Sequence, residues 1–142
     1  MIFPSEAWLR AVVEAVNRHP ELPRALAGLG PDLGAVVEPE PPGLRRAFAV
    51  YGRQEGGRIA AVRVLADEDD LWELEPAYVV RASYGVWKAL VRGEDPVRAA
   101  LSGRVRVEGD LQALLRRAGY RPILDAALAS VATEFADEGE GP

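Results

Sequence analysis

The segment Gly103-Arg104-Val105-Arg106-Val107-Glu108-Gly109-Asp110 alternates charged and apolar side chains between two glycines. Successive side chains of a β-strand point to opposite faces of the sheet, so this alternation predicts a strand, residues 104–108, with its valines turned inward. Gly109 and Asp110 predict the start of a helix that continues with Leu111, Leu114 and Leu115 and ends at Gly119. The segment therefore predicts a domain that mixes strands and helices.

The residues before this segment carry the start and stop signals of two helices. Ser83 is a candidate N-cap, and Gly93 a candidate C-terminal stop, for a helix whose apolar residues are Val86, Trp87, Leu90 and Val91. Asp95 followed by Pro96 predicts the start of a shorter helix that runs through Leu101, because proline is favoured in a first helical turn. Both helices separate strand 104–108 from an earlier strand, residues 76–82.

Further upstream, the sequence predicts three more strands. They are residues 33–37, 45–53 and 58–66, and the last two are joined by a hairpin loop at residues 54–57, where two glycines supply the positive φ that such turns need. Alternation places Phe48, Val50, Val62 and Val64 on an inner face, and Ile59 and Leu65 on the outer one. With the later strands, we expect a mixed five-stranded sheet.

Both ends of the chain predict amphipathic helices. Ser5 can cap a first helix. The residues 19–34 that come after this helix form a connector with at most a short helix between residues 22 and 29. Pro122 opens a last helix, which carries Leu124, Leu128, Val131 and Phe135 on one face. We therefore expect one α/β domain of the α+β kind over residues 1–136, in which helices cover the sheet, followed by an acidic disordered tail at residues 137–142.

The composition excludes several functions. The 142 residues include no cysteine and one histidine, so thiolate chemistry, cysteine metal sites and a metal site made only of histidines are excluded within one chain. The net charge of -5 argues against binding to nucleic acid. The N-terminus lacks a signal-peptide pattern, and no apolar run approaches the roughly 20 residues of a spanning helix. We expect a cytoplasmic protein with no stable membrane insertion, no cofactor and no metal.

The motifs between Tyr78 and Leu115 resemble, in their order and spacing, those of the sterol carrier protein type 2 (SCP-2) family of small lipid-binding domains. The motifs are Val79–Ser83, Leu90–Gly93, Asp95-Pro96, Ala99–Leu101 and Gly103–Asp110. The chain departs from the family at Arg104 and Arg106, where lysine is usual. The resemblance implies an SCP-2-like fold with an apolar tunnel between sheet and helices, and a non-catalytic role in binding or carrying a fatty acyl chain, sterol or similar lipid.

The sequence can supply an apolar lining for such a ligand. The candidate ligand-binding residues, all on predicted inner faces, are Phe48, Val50, Val62, Val64, Val80, Trp87, Leu90, Leu101, Leu128, Val131 and Phe135. Each of them could equally fill an ordinary core. Arg81, or the helix start at Gly109 and Asp110, could hold a polar headgroup at the tunnel mouth. The expected partner is thus a lipid or other hydrophobic small molecule.

Alternative interpretations remain open. Ile59, Leu65 and Val79 beside arginines on an outer sheet face could make the protein a homodimer and an interaction module with a collapsed tunnel. An enzyme would need a tyrosine, Tyr51, Tyr78 or Tyr84, paired with Asp110 or Asp125. Residues 67–70 are acidic but lack the pattern of a calcium loop, and predict a solvated turn. Trp72 could be a packed linker residue, or mark a lid or a partner contact.

Overall fold

The computed structural model describes residues 1–27, 29–110, 112–113 and 119–138. The strands are β1 (Ile2–Phe3), β2 (Asp32–Glu38), β3 (Phe48–Glu55), β4 (Arg58–Leu65), β5 (Tyr78–Ser83), β6 (Arg106–Glu108) and β7 (Glu134–Phe135). The helices of the described residues are α1 (Glu6–Asn17), α2 (Leu22–Leu26), α3 (Asp70–Leu74), α4 (Tyr84–Val91), α5 (Pro96–Leu101) and α6 (Tyr120–Ser130).

The main sheet has five strands in the order β4-β3-β2-β5-β6. Strands β2 and β5 are parallel, and the other neighbours are antiparallel. The predicted mixed five-stranded sheet in a single α+β domain is therefore confirmed. The parallel pair β2 and β5 lies at the centre, and the antiparallel hairpin of β3 and β4 forms one edge.

The predicted N-caps of three helices form as expected. The Ser5 hydroxyl accepts a hydrogen bond from the Trp8 backbone N–H at 3.1 Å, and Ser83 caps α4 by accepting from Val86. Asp95 accepts from the Val97 N–H at 2.9 Å at the start of α5. Each cap satisfies a backbone donor that the first helical turn leaves unpaired.

The inner face of the sheet carries the residues that the alternation predicted. The register pairs Val50 with Val64 and Ala35 with both Val50 and Val80, and paired residues point to the same face. Phe48, paired with Val37, lies on that face too. Helix α1 contacts β4 on this side, so the hairpin of β3 and β4 is covered by the first helix.

A β-bulge reverses the predicted direction of Ile59. Arg53 pairs with Ala61 and Gln54 with Ile59, so the ladder skips one residue of β4. Such an extra residue shifts the alternation, and the Ile59 side chain lines the inner cavity instead of the outer face. The sequence pattern missed this because strict alternation assumes an unbroken ladder.

The outer face of the sheet is not an exposed apolar patch. Leu65 and Val79 are buried in a core cluster with Leu71 of α3, a helix that the sequence did not predict. The apolar outer surface on which the dimerisation alternative depends is thus covered within the chain. Trp72, the next residue of α3, has 70% of its surface exposed.

The two ends of the chain meet in a second sheet that the sequence did not predict. Strand β1 pairs in parallel with β7, and the Met1 ammonium donates to the Ala132 carbonyl at 2.8 Å. Helix α6 ends at Ser130, so the prediction that Val131 and Phe135 continue it is wrong. Pairing with β1 and burial of Phe135 against Phe3 outweigh the helical spacing.

Two further predictions concern the C-terminal third. The helix expected at Leu111, Leu114 and Leu115 falls on residues outside the described ones, although the Asp110 carboxylate accepts from the Ala113 N–H at 3.1 Å. Asp137 and Glu138, the first two residues of the predicted tail, form ion pairs with Lys88 of α4 and with Arg92 just after it. Residues 139–142 lie outside the described part.

These ion pairs predict a pH-dependent attachment of the C-terminal turn. Hydrogen bonding from the Lys88 ammonium holds the pKa of Asp137 below its ordinary value, and the Arg92 guanidinium does the same for Glu138. Carboxyls with lowered pKa values in the folded state stabilise it above their unfolded pKa values, and this stabilisation is lost as the pH falls through the folded pKa values.

We therefore expect the wild type to have a higher free energy of unfolding than Asp137→Asn/Glu138→Gln at pH 7. This difference should shrink steadily as the pH falls below the ordinary glutamate pKa of 4.5. Urea unfolding of both proteins at a series of pH values measures it. An unchanged difference at the acid end of the series would show that the carboxylate charges do not hold this turn.

Candidate functional site

A cavity of about 420 Å³ lies between the inner face of the sheet and the helices. This volume is in the range of roughly 300–1,000 Å³ that small-molecule sites occupy. Most lining side chains are apolar, and they come from the sheet, from α1, α2 and the following connector, and from α4, α5 and α6. They include Val16, Leu22, Ala25, Leu26, Leu29, Leu33, Ala35, Ile59, Val80, Trp87, Leu90, Pro96, Ala100, Val105, Val107, Ile123 and Leu124.

Trp87 forms part of the wall where α4 crosses the central strand β2. Its indole N–H donates to the backbone carbonyl of Val36 at 2.9 Å. A buried indole needs a partner for this one polar group, and here the sheet supplies it. The hydrogen bond fixes the ring between helix and sheet, and the carbon surface of the ring remains available to the cavity.

The connector between α2 and β2 forms another wall, and the side chain of Gln54 contacts its backbone. The Gln54 amide N–H₂ group lies within hydrogen-bonding distance of three connector carbonyls, Leu26 at 3.3 Å, Leu29 at 3.4 Å and Gly30 at 2.7 Å. Leu26 and Leu29 thereby face the cavity. They also line a neighbouring cavity of about 200 Å³ that lies beside Gln54, so the two cavities share a wall.

The polar lining residues are gathered at one end, where α4, α5 and α6 meet: Glu94, Tyr120, Arg121 and Asp125. The Arg121 guanidinium contacts Asp95 at 3.2 Å and Asp125 at 3.4 Å, and donates to the Gly93 carbonyl at 3.2 Å. Glu94 forms an ion pair with Arg104. Burial raises the pKa of the Tyr120 phenol, which stays neutral at physiological pH.

The structure brings only part of the predicted lining to this cavity. Val80, Trp87 and Leu90 line it together. Val50 and Val64 lie on the same sheet face but are not among its lining residues.

The other predicted lining residues lie elsewhere. Phe48 packs against the aromatic cluster that includes Phe3 and Tyr84, and Val62 lies in a groove beside α1. Leu101 is 73% exposed on the outer side of α5. A separate groove of about 430 Å³, open to the surface and also contacted by Arg92 and Glu138, is lined by Leu128, Val131 and Phe135.

The connector wall was not predicted from the sequence. Leu22, Leu26 and Leu29 follow one another at helical spacing, four and three residues apart, which is a signal for one apolar face. Prolines and glycines surround these leucines, and because both residue types usually interrupt a helix, the segment was interpreted as a connector. Ile59 could not be found from the pattern, because its direction depends on the bulge.

The tyrosine and acid pairs considered for catalysis do not converge on the cavity. Tyr51 donates to Asp32 at 2.7 Å, and this hydrogen bond raises the pKa of Tyr51. Tyr84 donates to Asp137 at 3.0 Å in the C-terminal turn. Both phenols are thus held by carboxylates in separate places. Tyr78 lines the neighbouring cavity of about 200 Å³, whereas Asp125 lines the main one.

The predicted charged contacts are occupied within the chain. Arg81 lies on the outer sheet face and forms ion pairs with Glu68 at 3.1 Å and Glu108 at 3.5 Å, so it does not reach the cavity. The Asp67 carboxylate accepts from the Asp69 N–H at 2.8 Å, as in a turn. Among the described residues, no group of three histidine or acidic side chains could hold a metal ion, and no helix could span a membrane.

Comparison with known proteins agrees with this architecture. Residues 54–119 match the sequence model of the SCP-2 sterol transfer family. A crystal structure of sterol carrier protein 2 is similar with a TM-score of 0.72 and 21% identity, covering 90% of this chain and 98% of that one. No curated protein sequence matches the chain at a significant level.

Two further solved structures share the fold. A conserved hypothetical protein from Thermus thermophilus, suggested to be a sterol carrier protein, has a TM-score of 0.71 and 21% identity, covering 92% of this chain and 90% of that one. Sterol carrier protein 2 from Yarrowia lipolytica, in its apo form, has a TM-score of 0.58 and 13% identity, covering 89% of this chain and 93% of that one. The chain thus has the fold of sterol carrier protein 2, and its central residues carry the sequence signature of the SCP-2 sterol transfer family.

Proposed function

We propose that the protein binds and carries a hydrophobic small molecule, such as a lipid, in the cavity between sheet and helices, without catalysing a reaction. The observation that carries this proposal is the cavity itself, whose walls are apolar except at one end. The shared fold with sterol carrier protein 2 supports it. Val80, Trp87 and Leu90, together with the connector leucines, are the proposed ligand contacts.

Apolar contact supplies much of the free energy of such binding. Each methylene transferred from water to an apolar site contributes about 0.8 kcal/mol, so a 12-carbon chain gains roughly 9 kcal/mol before the loss of its freedom of motion is subtracted. Micromolar affinity corresponds to about 8 kcal/mol. When about 4 kcal/mol is subtracted for the lost freedom of motion, about 5 kcal/mol remains, so apolar contact supplies more than half of the free energy of micromolar binding and the polar end can add both affinity and selectivity.

The test uses Nile red, an uncharged fluorescent dye, as the probe. The wild type should bind it saturably, and native mass spectrometry of freshly purified protein should show adducts of lipid mass. Ala100 faces the cavity, so Ala100→Trp places an indole inside it and should weaken Nile red binding by about tenfold or more, a loss of about 1.4 kcal/mol.

Leu101→Trp provides a matched control, because it adds the same indole one residue away on the exposed side of α5. Its affinity should stay within about twofold of the wild type. Circular dichroism and thermal melting must show that both variants fold, and Ala100→Leu should weaken binding to an intermediate extent. Equal affinities for the two tryptophan variants, or no saturable binding by the wild type, would refute the proposal.

A further inference from the structure

At the polar end of the cavity, two carboxylates compensate the positive charge of Arg121. Arg121 lies in the first turn of α6, where the helix dipole disfavours a cation. Two carboxylates and a carbonyl surround it, with Nη1 at 3.2 Å from Asp95, Nε at 3.4 Å from Asp125 and Nη2 at 3.2 Å from the Gly93 oxygen. All three guanidinium nitrogens are thus engaged within the chain through three of their five N–H donors, and the two carboxylates compensate the positive charge.

Within the described residues, the charged side chains at this end have a net negative charge. Glu94, which lines the cavity, forms an ion pair with Arg104, and Asp95 fills the start of α5 by accepting from the Val97 N–H. The described groups are thus three carboxylates and two guanidinium groups: Glu94, Asp95 and Asp125, and Arg104 and Arg121. These described carboxylates would repel a ligand carboxylate placed here, and the repulsion is stronger in a partly desolvated site than in water.

Tyr120 supplies a polar contact of a different kind. It lines the same end, and within the part of the chain that the structure describes its hydroxyl forms no hydrogen bond. A neutral phenol can both donate to and accept from a ligand hydroxyl. The polar end therefore matches an uncharged, hydrogen-bonding headgroup.

We infer that the cavity selects amphiphiles with a neutral hydroxyl headgroup over anionic amphiphiles of the same chain length, and that Asp95 and Asp125 impose this selectivity through Arg121. The inference rests on the proposed function, because it concerns the headgroup of a ligand that the same cavity holds. It adds a chemical class to that ligand, a long-chain alcohol rather than a fatty acid anion.

The experiment measures displacement of Nile red by 1-dodecanol and by dodecanoate at pH 7.5, both below the concentrations at which they aggregate. We expect the alcohol to displace the dye at a concentration about tenfold lower or more. A carboxylate is harder to desolvate than a hydroxyl in any apolar cavity, so this ratio alone does not identify the charges responsible.

The variant Asp95→Asn/Asp125→Asn separates the two causes. It frees Arg121 to meet an anion, while asparagine still caps α5 almost as well as aspartate. We expect the preference for dodecanol to fall by about fivefold or more, since two opposing charges near the headgroup are removed. The control Asp69→Asn/Glu73→Gln makes the same change in net charge on the outer side of the sheet and should leave the ratio within about twofold.

The outcomes distinguish the inference from the proposed function. If neither ligand displaces the dye, or the dye does not bind, the carrier function itself fails. If dodecanoate displaces it as well as or better than dodecanol, or if the cavity variant and the control give the same ratio, the carrier function stands and the selectivity inference is wrong. A reduced ratio in the cavity variant alone supports it.

Discussion

Replacing Phe3 by alanine should lower the free energy of unfolding by about 3–5 kcal/mol, the usual cost of deleting a fully buried phenylalanine. Phe3 is 2% exposed and lies at the centre of an aromatic cluster. Its ring is 4.8 Å from that of Trp8, 5.9 Å from Phe135 and 6.1 Å from Tyr84, measured between centroids. The variant therefore loses contacts to α1, α4 and β7 at once.

Urea unfolding, followed by tryptophan fluorescence and circular dichroism, measures this loss as a lower midpoint at unchanged slope. Ile2→Ala is the matched control, because Ile2 is 41% exposed in the same strand and should cost less than about 1 kcal/mol. Nile red affinity of the folded Phe3→Ala protein should equal that of the wild type, since Phe3 does not line the cavity. Equal midpoints for the two variants would contradict the central role of Phe3.

The main sheet could be predicted because its signals are local. The alternation around Val107, the glycine pair after Glu55 and the caps at Ser83 and Asp95 each depend on a few neighbouring residues, and the structure contains all of these features. Where a feature depends on a distant partner, the prediction failed. Phe135 fits a helical face by spacing, but its strand forms only because β1 lies beside it.

The candidate site was harder to predict than the sheet for the same reason. The inward direction of a strand residue is set by alternation, which predicted that Val80 faces the helices, and Val80 lines the cavity. Whether an inward residue reaches a cavity or touches another helix depends on which helix covers it. Val62 and Val80 have the same pattern, yet α1 covers the region of Val62 while the space above Val80 stays open.

Trp87 links the stability of the domain to its cavity. It carries the hydrogen bond from α4 to the Val36 carbonyl and also lines the cavity, so Trp87→Ala removes both a buried contact and part of the wall. We expect it to lower the free energy of unfolding by about 3 kcal/mol, near the lower end for tryptophan, because one side of the ring already faces open space. Trp87→Phe keeps most of the ring and should cost about 1 kcal/mol for the hydrogen bond.

Binding by these two variants tests whether Trp87 contacts the ligand. A dodecanol chain loses packing against one wall in Trp87→Ala, so its affinity should fall by about tenfold, while Trp87→Phe should stay within about threefold of the wild type. Urea unfolding with and without dodecanol gives the same answer independently, since a ligand at free concentration L stabilises the folded state by RT ln(1 + L/Kd), which is smaller for the variant with the weaker affinity. If Trp87→Ala and Phe3→Ala lose stability alike and both keep wild-type affinity, Trp87 is an ordinary core residue and the ligand lies elsewhere in the fold.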